Sequence, residues 1–117
     1  MQLFLRVFVE VDAEGVASIA RSLAEVLAPW KPVAANVPVR YPKVDGWWEL
    51  TFDVVPGSAT MFDAIVATVD DGWTHVGWDP DAVDEERSSV WNAASGPPFL
   101  APEVRWAELQ LIHPPTA

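Results

Sequence analysis

A chain of 117 residues is the size of one domain, and with half its residues apolar and 21% charged it belongs with globular rather than disordered chains. Cysteine is absent, which excludes a disulfide framework, a thiolate metal site and a thiol nucleophile. Seventeen acidic residues against seven basic ones give a formal charge of −10, which disfavours nucleic acid and anionic membranes as partners and favours a basic protein.

Residues 2 to 11 alternate, with Leu3, Leu5, Val7 and Val9 on one face and Phe4, Arg6, Phe8 and Glu10 on the other, so a central β-strand is expected. The same segment, MQLFLRVFVEVDAEG, carries a charge inside its apolar run and lacks a small-residue cleavage site, so it does not read as a signal peptide. The longest uncharged run, around residues 54 to 62, contains Pro56 and Gly57 and is too short to span a bilayer. The expectation is a soluble, cytoplasmic protein.

Asp12 is placed to cap a helix with Glu14 in its first turn and Val16, Ile19, Ala20, Leu23 and Leu27 at helical spacing, ended by Pro29. VAANVPVRY then reads as an extended edge strand, because Pro38 removes a ladder donor. Asp45-Gly46 predicts a hairpin turn into WWELTFDVV, where Trp48, Leu50, Phe52 and Val54 share one face. Pro56-Gly57 breaks that strand and Ser58 caps a second helix carrying Met61, Phe62, Ile65, Val66 and Val69, which ends before Gly72. A short strand over residues 73 to 79, an acidic loop DPDAVDEE, and two further strands over residues 87 to 93 and 103 to 112 complete the chain.

The string predicts a single α+β domain over residues 1–117: a ferredoxin-like split βαβ sandwich, two helices on one face of a mainly antiparallel sheet, with an extra C-terminal strand or hairpin. Such a sheet leaves its other face uncovered. Phe4 and Phe8 on that face are more apolar than bulk solvent tolerates, so either the C-terminal segment or a partner covers them.

No residue pattern specifies a reaction. Counted from Asp79, a calcium loop of the EF-hand type finds Asp81 at its third position but Val83, Asp84 and Val90 at its fifth, sixth and twelfth, so the pattern fails after two ligands. His75 and His113 have no nearby partner histidine, which argues against zinc. Ser88 and Ser89 lie beside Arg87, no Gly-x-Ser-x-Gly elbow exists, and no phosphate loop or dinucleotide fingerprint is present, so neither catalysis nor a cofactor is expected.

Tryptophan is the anomaly, at seven positions: Trp30, Trp47, Trp48, Trp73, Trp78, Trp91 and Trp106. Its large ring and single N–H favour half-wet positions such as interfaces, and adjacent Trp47 and Trp48 in one strand must point to opposite faces. Stacking on nucleic acid would also need a basic groove, which this chain lacks. The run from Asp63 through Glu86 contains no Lys or Arg, which makes one end of the molecule acidic.

The C-terminal stretch SSVWNAASGPPFLAPEVRWAELQL resembles the end of small acidic actinobacterial immunity proteins, which protect a producing cell from its own polymorphic or contact-dependent toxin. Val90-Trp91-Asn92, Phe99-Leu100-Ala101-Pro102 and Val104-Arg105-Trp106-Ala107 carry the resemblance, over about a quarter of the chain. It implies a protein that binds a cognate toxin and blocks its active site or substrate groove. Charge leads to the same kind of partner, since nuclease toxins are basic. The expected toxin-facing patch is Asp79, Asp81, Asp84, Glu85 and Glu86, with Trp78 and Trp91 as anchors. Two alternatives stand beside this reading: a small cofactor-free enzyme of the dimeric α/β-barrel type, with a pocket between helices and sheet, and a ligand-sensing module that forms a homodimer through the open sheet face.

Overall fold

The alternation in the first strand sets the layers of the fold. The computed structural model describes residues 1–34, 36–69, 71–76, 86–93 and 98–113. Strand β1 (Gln2–Glu10) buries Leu3, Leu5, Val7 and Val9 against the helices, while Phe4, Arg6 and Phe8 face the other way. Helix α1 (Val16–Leu27) follows, and its Ile19, Leu23 and Leu27 complete that side of the core. It starts later than the sequence suggests, because the Asp12 carboxylate accepts from the Gly15 N–H at 2.8 Å and closes a turn before the helix begins. A single 3₁₀ turn containing Pro29 ends it.

The edge segment breaks into two short strands, β2 (Val33–Ala34) and β3 (Val39–Arg40), both paired antiparallel to β4 (Trp47–Val54). Pro38 between them interrupts the ladder, as its missing donor requires. Gly46, at φ +81, makes the turn into β4, and the two neighbouring tryptophans separate as alternation demands: Trp48 packs on the core, Trp47 lies on the opposite face. Helix α2 (Ala59–Val66) is capped by Ser58, whose Oγ accepts from the Met61 N–H at 3.2 Å, and it adds Phe62 and Ile65 to the same core.

The second half of the chain is a meander of β5 (Trp73–Val76), β6 (Arg87–Asn92) and β7 (Val104–Ile112). The seven strands form one sheet in the order β2-β4-β1-β7-β6-β5, with β3 also on β4, and every recorded pairing is antiparallel. This is an α+β fold of two helices on a mainly antiparallel sheet. The ferredoxin-like split βαβ order is not confirmed: that arrangement gives the place beside β1 to the strand after the second helix, whereas here β7 holds it and β5 lies at the far edge. No helix among the described residues is long and apolar enough to cross a membrane.

A β-bulge positions one further side chain. Phe8 pairs with Trp106, but Val9 pairs with Val104, so Arg105 is the extra residue. Val104 therefore joins Ala107, Leu109 and Leu111 in the core, while Trp106 turns to the uncovered face beside Phe8.

Candidate functional site

The uncovered sheet face carries a cluster of four aromatic rings drawn from four segments. Phe8 on β1 is its floor, with Tyr41 edge-on at 4.7 Å and Trp106 of β7 edge-on at 5.2 Å between ring centroids. Trp47 of β4 lies 6.3 Å from Phe8 and stacks on Tyr41 at 6.4 Å with 27° between planes. With Val44 and Arg6 these rings enclose an open pocket of about 270 Å³. Trp47, Trp106 and Tyr41 are only half-buried, so ring surface remains available to a partner.

Charges frame the rings. Glu10 accepts from the Trp47 indole N–H at 3.2 Å and pairs with Arg105 at 3.5 Å, fixing the Trp47 ring at the rim. Arg6 lies 3.8 Å from Glu49 and places its guanidinium 5.8 Å from the centre of the Phe4 ring. Thr51, the β4 partner of Arg6, is buried with no hydrogen bond to its hydroxyl, and the Arg6 Nε is also without one.

Of the expected contact patch, Glu86 and Trp91 are among the described residues. Trp78, Asp79, Asp81, Asp84 and Glu85 lie outside the described residues. Glu86 is exposed just before β6, and its carboxylate accepts from the His113 backbone N–H at 3.0 Å. Trp91 corrects the expectation of a surface anchor: it is 2% exposed, on the helix side of the sheet, with its indole N–H donating to the Asp71 carbonyl at 2.9 Å. Its neighbours are Phe99, at 5.6 Å between ring centres, and Gly72. A ring seated this way serves the core.

Two other places were candidates for chemistry. His75 and Ser89 are cross-strand partners, and the imidazole Nδ1 lies 2.6 Å from the Ser89 hydroxyl, a contact that sequence reading did not foresee. Ser89 is nevertheless completely buried, and a nucleophile must be reached by its substrate. One cavity between helices and sheet, lined by Leu5, Leu27, Trp30, Phe52 and Ile65 among others, has about 10 Å³, room for a single water, while an open cleft of about 410 Å³ lies between Ser18, Ile19 and Ser22 of α1 and the segment from Leu100 to Glu103. Among the described residues no group of three or more His, Asp or Glu could hold a metal ion.

Alternation in β1 puts Phe8 on the uncovered face, and alternation in β4 sends one of Trp47 and Trp48 to join it. Tyr41 and Trp106 are not legible in the same way: the first depends on the path of an edge hairpin and the second on the pairing of β7 with β1, a strand distant in sequence. Comparison with protein-family models, with curated proteins and with solved structures finds no match to this chain.

Proposed function

We propose that this protein is an immunity-type binding protein that neutralises a cognate basic toxin by covering its active site or substrate groove, and that the uncovered sheet face is its principal contact surface. The observation that carries this reading is the four-ring cluster. Partly exposed tryptophan and tyrosine around a pocket is the composition of binding hot spots, where large rings fill or receive a partner's side chains. The charge of −10 supplies attraction for a basic surface, and the acidic residues Asp79, Asp81, Asp84, Glu85 and Glu86 extend it.

Co-expression with the toxin encoded beside it is the direct test. Growth rescue and co-purification are the expected result, and Trp106→Ala should weaken the complex by about 1–3 kcal/mol. If no neighbouring toxin is neutralised or bound, the reading is wrong. A homodimer of the free protein that Trp106→Arg separates would reassign the face to self-association.

A further inference from the structure

We infer that the aromatic pocket on the uncovered face receives an arginine side chain of a protein partner, with Glu108 as its counter-charge; the identity of that partner as a basic protein rests on the proposed function above. The pocket is lined by Tyr41 and Trp47 from the β4 side, by Trp106 from β7 and by Phe8 between them, with Arg6 and Val44 completing the wall. Guanidinium is planar, weakly hydrated and held by indole and phenol faces, and its aliphatic stem suits the apolar walls.

The charges on this face are unevenly matched. Glu10, Glu49, Asp53 and Glu108 share it with Arg6 and Arg105; Arg105 pairs with Glu10, Arg6 with Glu49, and Asp53 accepts from the Gln2 side-chain amide at 2.6 Å. That leaves Glu108, half-buried, with no hydrogen bond or ion pair among the described residues. It stands directly across the ladder from Arg6, yet Arg6 is engaged by Glu49 and lies over Phe4. Two residues along β7 from Trp106, Glu108 points to the same face at about 7 Å, within reach of a guanidinium stacked on that indole. A partly desolvated carboxylate without a partner gains from an incoming cation more than an exposed one does.

Arg6 supplies the opposing prediction. Arg6 is itself part of the pocket's lining, so an acidic side chain is the competing occupant. The full chain, labelled with ¹⁵N, is therefore titrated separately with N-acetyl-arginine amide, N-acetyl-norleucine amide and N-acetyl-glutamate amide while its indole N–H resonances are followed.

The arginine amide should move the Trp47 and Trp106 indole resonances saturably and leave that of Trp91 in place. The norleucine amide should bind about fivefold more weakly, the equivalent of one cation–π contact. Glu108→Gln should weaken arginine about threefold without changing norleucine, and Trp106→Ala should abolish both. Should Trp106→Ala disturb the Trp91 resonance as well, Glu108→Gln, which keeps the side chain's shape, decides alone. Equal binding of norleucine and arginine, tighter binding of glutamate, or no saturable shift overturns the inference. A chain that rescues growth without binding arginine overturns this inference only; one that binds arginine without rescue overturns only the toxin reading.

Discussion

Trp91 and Trp106 show how one residue type serves two purposes according to where its ring is placed. Trp91 is enclosed on the helix side, bonded through its N–H and packed on Phe99, whereas Trp106 is half-buried on the opposite face beside Phe8. Trp91→Ala should therefore cost about 3–5 kcal/mol of folding stability, by leaving a cavity and an unpaired Asp71 carbonyl. Trp106→Ala should cost less stability and more binding, and chemical denaturation of both variants makes the comparison. Equal losses of stability would mean that the uncovered face is as much core as the other. Gly72 is part of the seat of Trp91: it sits at φ +99, and an added Cβ would come within 2.5 Å of the indole nitrogen and 2.8 Å of the Asn92 carbonyl. Gly72→Ala should destabilise by about 2–4 kcal/mol, from backbone strain together with displacement of the ring. A loss below about 1 kcal/mol in the same denaturation would show that the turn relaxes freely.

Strand faces were legible from the sequence wherever both sides of a ladder alternate, as in β1 and β4, because the two-residue period is a local property. Helix bounds were less so. Asp12 makes its bond to Gly15 rather than to a helical turn, and after Val66 the chain closes tighter bonds, from Thr68 to Ile65 at 3.2 Å and from Val69 to Val66 at 3.4 Å, ending α2 early. Sheet order was legible only in part: the Asp45-Gly46 turn pairs β3 with β4, and β6 and β7 were recognisable as strands, but nothing within Val104–Ile112 specifies β1 as its neighbour. The aromatic site inherits that limit, since only the pairing of β7 with β1 sets Trp106 beside Phe8. Because α2 spans only eight residues, its cap carries much of its local stability. Ser58→Ala should lower folding stability by about 1 kcal/mol, and Ser58→Asp should preserve it, as measured by urea unfolding. An unchanged midpoint for the alanine variant would mean that Phe62 and Ile65 hold the helix through packing alone.

The charge of the whole molecule acts over distances that no single contact does. Four of its seven cationic side chains, Arg6, Arg40, Arg87 and Arg105, are already engaged by carboxylates within the chain, so the remaining negative charge is largely unopposed. Individually these pairs contribute little to stability where they are exposed, as Arg40 with Asp45 is. Their consequence is for the field: the excess carboxylates set a negative potential that accelerates approach of a basic partner and is screened within about 8 Å at physiological ionic strength. On the proposed function, the association rate with a basic toxin should fall steeply as salt rises, while dissociation from the proposed aromatic contact changes little. Replacing Asp81→Lys, Asp84→Lys and Glu85→Lys together raises the formal charge from −10 by six and should slow association by about tenfold at low salt with dissociation nearly unchanged. Stopped-flow measurements across a salt series separate the two rates. An association rate insensitive to both salt and charge reversal would show that the acidic run does not steer the encounter, and would leave the ring cluster to capture its partner by shape and stacking alone.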